Sequence, residues 1–233
     1  KQTGIMLDKI EDVLLKEEPS LVLVLGDTNT TMAGALAASK LHIPLMHIES
    51  GCRSFNRRMP EEINRIVADH TADFLIAPDK TSYNNLMKEG IPEEKVSLLG
   101  STVFDAVIRN KELANVEKVL SKFDLVKENF VLVTLHRAEN TNNLSVLKNI
   151  FAALNLMSEL TTFVFPIHPR TRKIVEENNL EINHRIKIIE PQPYLDFLAL
   201  LAGCKFCMSD SGGIQEEVLV FNKPCLILRN ETE

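Results

Sequence analysis

Residues 21–29 read LVLVLGDTN: five apolar residues, Leu21 to Leu25, run straight into Gly26-Asp27-Thr28-Asn29. An apolar run this short, closed by a glycine turn, suits a strand buried on both faces, as parallel strands between helices are. The same signature recurs along the chain, at Ile43 to Ile48, Phe74 to Ala77, Val96 to Leu99, Phe130 to Leu135, Phe163 to Ile167, Ile186 to Ile189, Phe206 to Met208 and Cys225 to Leu228. Between these runs the apolar residues fall at helical spacing: Met6, Ile10, Val13 and Leu14; Leu147, Ile150, Leu154 and Met157; Leu195, Leu198 and Leu201. Strand and helix alternate throughout, which defines an α/β protein. Residues 109–128, charged and helical in pattern, contain no strand. The expectation is two Rossmann-like, doubly wound domains, 1–112 and 113–233, with ligand-binding loops at the carboxyl ends of the strands and the substrate in the cleft between them.

The composition narrows the ligands. Of 233 residues, 45% are apolar and 25% charged, as in ordinary globular proteins. Basic residues number 26 and acidic ones 32, giving −6, so no broad positive footprint for nucleic acid is expected and any bound anion must be held locally. No apolar run approaches the roughly 18 to 20 residues of a membrane-crossing helix. The sequence starts at Lys1 without the features of a signal peptide, which predicts a cytoplasmic protein. Cys204 and Cys207 have CxxC spacing, but Cys204 closes an apolar helix and Cys207 lies in a strand-like run. Neither place is the helix N-terminus of a redox pair, and no second ligand pair for zinc follows, so buried thiols and no metal are expected.

In a doubly wound sheet the residues just past each strand carry the chemistry. After LVLVL, Asp27 or Thr28 either caps the next helix or presents a carboxylate to a ligand. After PLMHI comes Glu49-Ser50-Gly51-Cys52-Arg53; a carboxylate there must be solvated or paired, and Arg53 is the nearest candidate partner. Met59-Pro60-Glu61-Glu62-Ile63-Asn64-Arg65 reads as a well-made helix start, with Glu61 and Arg65 spaced to pair. In the second half, one strand ends in His136-Arg137 and another in His168-Pro169-Arg170, two histidine–basic pairs that together point to an anion. Ser209-Asp210-Ser211-Gly212-Gly213-Ile214-Gln215-Glu216-Glu217 follows KFCM. Gly212 and Gly213 let backbone approach a ligand closely, the following helix offers free amides to a diphosphate, and Glu217 sits one turn on, in reach of ribose hydroxyls. The spacing is neither a Walker loop nor GxGxxG.

In order and spacing, GDTNTTMAGALAA, HIESGCRS, MPEEINR with its following ADH, LHRAEN, PQPYLDFLALL and SDSGGIQEE resemble the non-hydrolysing UDP-N-acetylglucosamine 2-epimerases along essentially the whole sequence. That resemblance implies the GT-B architecture and interconversion of UDP-N-acetylglucosamine (UDP-GlcNAc) and UDP-N-acetylmannosamine (UDP-ManNAc) with no cofactor. It implies anti elimination of UDP to 2-acetamidoglucal, followed by syn re-addition with inverted C2. Asp27, Glu49, Glu61 and His136 match catalytic positions. Arg53, Arg137, His168, Phe197, Ser211, Gly212, Gly213 and Glu217 are expected at substrate, with Phe197 stacking near uracil. The resemblance also implies a homodimer, and an opening strand with a Gly-Thr-Arg-Pro-Glu turn and a closing helix beyond this sequence, placing activity in a longer chain. A GT-B glycosyltransferase and a catalytically silent UDP-sugar-binding protein are the competing readings.

Overall fold

The computed structural model describes residues 1–229. Residues 230–233, after which the resemblance expects the closing helix, lie outside the described residues. The chain forms two compact units, Lys1–Thr102 and from Val103 onward. The nine apolar runs are strands, each ending within two residues of its expected limits, and the α/β class follows.

The first unit runs α1 (Gln2–Glu17), β1 (Val22–Leu25), α2 (Asn29–Lys40), β2 (Leu45–Ile48), α3 (Pro60–Thr71), β3 (Phe74–Ala77), α4 (Lys80–Lys88) and β4 (Val96–Leu98). Its sheet is wholly parallel in the order β1-β2-β3-β4. Strands added in one direction with right-handed crossovers place the connecting helices on one face. Burial follows that geometry. Val24, Leu45, His47, Leu75 and Ala77 are buried, whereas Leu23 and Phe74, joined in register through Met46, are about half exposed. Alanine-rich α2 buries Ala33, Ala35, Ala37 and Ala38, small side chains that bring the helix close to the sheet.

The second unit runs α5 (Thr102–Lys111), α6 (Val116–Lys122), β5 (Phe130–Thr134), α7 (Ala138–Thr141), α8 (Leu144–Ser158), β6 (Thr162–Pro166), α9 (Pro169–Glu177), β7 (Ile186–Ile189), α10 (Tyr194–Gly203), β8 (Phe206–Ser209), α11 (Gly212–Val220) and β9 (Cys225–Ile227). The charged stretch 109–128 thus spans the end of α5 and all of α6. The parallel sheet is ordered β7-β6-β5-β8-β9, reversing direction between β5 and β8. Both faces are packed: Val131, Val133, Phe163, Phe165 and Met208 lie in one core, Phe130, Leu132, Val164 and Cys207 in the other. This is the doubly wound pattern, and its reversal point is where such sheets bind ligands. Cys204 and Cys207 are buried free thiols, Cys204 pushed up to about 12 by burial.

One glycine is essential to the fold of the first unit. Gly51 has φ +82, and a β-carbon there would run into the Ser82 carbonyl. Gly51→Ala is expected to cost about 3 kcal/mol or more of unfolding free energy, measurable by urea denaturation.

Candidate active site

In the first unit, Asp27, Glu49 and Glu61 lie on turns that share hydrogen bonds. Thr28, not Asp27, is the N-cap of α2, with its hydroxyl accepting from the Thr31 amide at 3.2 Å. Asp27 instead receives Arg65, whose Nε and Nη2 lie 3.1 and 2.7 Å from Oδ2. Asn64 Nδ2 donates to the Asp27 carbonyl at 2.8 Å, so the first turns of α3 are tied to the end of β1. Glu49 has φ 68, a left-handed conformation that side chains rarely adopt. Its carboxylate fills the space beside Gly26, since Oε2 would lie 3.0 Å from a β-carbon built there.

The two adjacent glutamates of α3 have different fates. Glu62 is buried and accepts from the Ser54 amide (2.9 Å), the Ser54 hydroxyl (3.0 Å), the Phe55 amide (2.9 Å) and Arg65 Nη1 (2.9 Å). Glu61 is half-buried and has no hydrogen bond or ion pair among the described residues. The expected Glu61–Arg65 pair is therefore replaced by Glu62–Arg65. Arg53 also departs from expectation. Rather than pairing with Glu49, its guanidinium is buried against Asp69 (2.7 Å) and grips Glu89 through Nε (2.8 Å) and Nη2 (2.7 Å). With Nη1 also on the Cys52 carbonyl, every guanidinium nitrogen of Arg53 has a protein partner, and the side chain serves as an internal counter-ion.

The second unit's site gathers at the β5/β8 reversal, where the Thr134 and Ser209 hydroxyls meet at 2.7 Å. Asp210, fully buried, accepts from the amides of His136 (3.0 Å) and Arg137 (2.8 Å) and from Asn140 Nδ2 (3.1 Å). Its Oδ1 is also 3.0 Å from His136 Nδ1. Burial alone would raise the Asp210 carboxyl, but His136 and these donors override it and hold it below the ordinary aspartate value. His136 is thereby fixed through one nitrogen while its ring stays partly exposed. Arg137 Nε is buried with no hydrogen-bond partner among the described residues, a donor still unspent.

Ser211 is the N-cap of α11, yet its side chain makes no capping bond, so the hydroxyl and the first amides of the helix stay available. A β-carbon at Gly213 would meet nothing within 4 Å, so no packing within the protein requires glycine there. Burial raises the Glu217 carboxyl, partly offset by a hydrogen bond from the Tyr194 hydroxyl. Phe197 is half-buried against the core under α10. His168 caps α9, its Nδ1 accepting from the Arg170 amide at 3.2 Å. Sequence reading assigned no role to Asp210 or Asp69; their signal was an acidic residue inside an otherwise apolar or small-residue setting.

These features define an α/β protein with a doubly wound sheet, an uncapped helix start at the reversal point of that sheet, and a second unit that carries carboxylates at its strand ends. All of residues 1–233 match the family described as UDP-N-acetylglucosamine 2-epimerase, and the chain belongs to that family. The UDP-N-acetylglucosamine 2-epimerase of Methanococcus maripaludis is 52% identical over the whole of this chain and 66% of its own length. A Pseudomonas aeruginosa relative, UDP-2,3-diacetamido-2,3-dideoxy-D-glucuronate 2-epimerase, is 45% identical, with 65% of its length covered. The crystal structure of the Methanocaldococcus jannaschii UDP-GlcNAc 2-epimerase in complex with UDP-GlcNAc and UDP superposes with a TM-score of 0.91 at 48% identity, over 99% of this chain and 66% of that one. The chain thus spans just under two thirds of the length of these relatives.

Two measurements check the site's internal bonding. Glu62→Gln should cost about 3 kcal/mol of stability, because it strips a buried counter-charge from Arg65, whereas Glu61→Gln should stay within about 0.5 kcal/mol. Because the Asp210 carboxyl is lowered, its contribution is complete above the unfolded value of about 4 and is lost as pH falls through its lower folded value. Asp210→Asn should therefore flatten the acid limb of a urea-midpoint series.

Proposed function

We propose that the protein interconverts UDP-GlcNAc and UDP-ManNAc by epimerisation at C2. The observation that carries this reading is the tying together of the turn after β1, which bears Asp27 and lies against the Glu49 carboxylate, and the first turns of α3, which bear Glu61. Removing a proton from C2 and returning one to its other face takes more than one carboxylate, whereas a glycosyltransferase has no need of such a set at C2. Within this reading a carboxylate takes the C2 proton as the C1–O bond breaks and the electron pair leaves with UDP. Re-addition of the diphosphate to C1 and protonation of C2 on the opposite face complete the cycle. Asp27, Glu49 and Glu61 form the acid–base set.

UDP is held by the second unit. The diphosphate lies at Ser211, Gly212 and Gly213 with Arg137, and His136 stabilises the charge that develops as it leaves. Glu217 takes the ribose hydroxyls, Phe197 stacks near uracil and His168 lies on the nucleotide side. No metal or cofactor enters this scheme. A homodimeric, cytoplasmic enzyme supplying amino sugars for polysaccharide synthesis is the setting the family resemblance implies. No helix among the described residues is long and apolar enough to cross a membrane, and no role with nucleic acid is proposed.

A second reading keeps the chemistry but changes the sugar: the 45%-identical Pseudomonas aeruginosa relative is named for a diacetamido glucuronate. Proton NMR of the full-length protein in D₂O, offered each UDP-sugar separately, discriminates. Deuterium at C2 of UDP-GlcNAc together with UDP-ManNAc signals is the expected result. Turnover of the glucuronate alone would transfer the assignment to it, and no exchange with either would overturn epimerisation. Glu61→Gln should lower kcat at least about 100-fold with UDP affinity kept, and Gly213→Ala should weaken UDP binding by about tenfold or more while leaving stability unchanged.

A further inference from the structure

Beneath the carboxylate-bearing turns of the first unit lies a buried charge cluster that the proposed reaction does not use. His47, in the middle of β2, is fully buried. Its Nδ1 is 2.7 Å from Asp69 Oδ1 and its Nε2 is 2.9 Å from the carbonyl oxygen of Gly26. Asp69 Oδ2 accepts from the Gly51 amide at 3.1 Å and from Arg53 Nη1 at 2.7 Å. Arg53 continues to Glu89, and Glu89 to His70 at 3.2 Å, where the cluster reaches the surface.

The donor count decides the state of the ring. A carbonyl oxygen can only accept. Asp69, already holding the Arg53 guanidinium and an amide on one oxygen, is ionised and accepts on the other as well. A neutral imidazole has one N–H, whereas His47 faces an acceptor at each nitrogen, so both nitrogens must donate. We infer that His47 is held as an imidazolium and that it and Asp69 form a positioning pair, locking the turn that bears Asp27 to the turn that bears Glu49. The continuous path is Gly26 carbonyl, His47, Asp69, Gly51 amide. One end lies immediately before Asp27 and the other two residues after Glu49. With Arg53 and His47 positive against Asp69 and Glu89, the buried charges balance.

The catalytic consequence rests on the reading of Asp27 and Glu49 as proton-transfer groups; the state of the ring does not. The test is ¹⁵N NMR of histidine-labelled full-length protein with kinetics of Asp69→Asn and His47→Gln. At neutral pH both His47 nitrogens should show directly bonded protons, and Asp69→Asn should lose one of them. Both variants should lower kcat by about 100-fold while KM for UDP-GlcNAc and UDP affinity move less than about threefold, the pattern of misplaced reacting groups rather than lost binding. A His47 nitrogen without a proton in the unsubstituted protein overturns the inference, as does a folded Asp69→Asn variant with undiminished kcat. Should a variant fail to fold, the nitrogen signals of the unsubstituted protein still decide. If the unsubstituted protein shows no exchange at C2, the functional reading fails while those signals stand as an independent result.

Discussion

A carboxylate removed from water has to be matched by donors, and each unit is organised around one that is fully buried: Asp69 in the first and Asp210 in the second. Neither is matched by a lone ion pair. Asp69 takes the Gly51 amide along with His47 and Arg53; Asp210 takes the His136 and Arg137 amides along with Asn140 and the His136 ring. In both cases a backbone amide from the turn after a neighbouring strand is part of the solution. The electrostatic requirement of one side chain thus sets the path of a loop that would otherwise be free to move. Truncating either aspartate leaves the remaining charges and amides buried without partners, which costs more than the loss of one ordinary contact.

This arrangement divides the polar residues near the strand ends into two populations. Arg53, Arg65, Glu62, Asp69 and Asp210 are spent on protein partners. Glu61, the Ser211 hydroxyl and Arg137 Nε hold capacity that no described residue uses. In sequence Glu61 lies beside Glu62 and Ser211 beside Asp210, while Arg137 gives its own backbone amide to Asp210. Fixing the backbone with one residue and presenting chemistry with its neighbour lets a turn be rigid and reactive together.

The strands were legible because parallel strands covered by helices need short, unbroken apolar runs, and LVLVL or FVLVT fits little else at that length. The candidate positions follow from the rule that such sheets put chemistry just past their strands. Partner choice was not legible. Adjacent helical residues point roughly 100° apart, so the MPEEINR pattern shows that one glutamate faces inward without showing which. Arg53 lies four residues from Glu49, but its long side chain reaches Asp69 and Glu89, brought near by α3 and α4. The role of Asp69 was hidden for the same reason, since the donors that make it tolerable come from residues 47, 51 and 53.

Glu49 shows how the tied turns bear on chemistry. A non-glycine residue at φ 68 carries a backbone cost of about 1 kcal/mol or more, which glycine would avoid. The cost persists because the neighbours over-determine the geometry: Gly51, two residues on, is pinned by Asp69, and Gly26, at φ +65, leaves out the β-carbon that would crowd the Glu49 carboxylate. Glycine at 26 and glutamate at 49 are therefore one device. The first gives up a side chain so that the second can place its carboxylate beside the Asp27 turn, and the strain at 49 is the signature of a side chain whose position matters more than the comfort of its backbone.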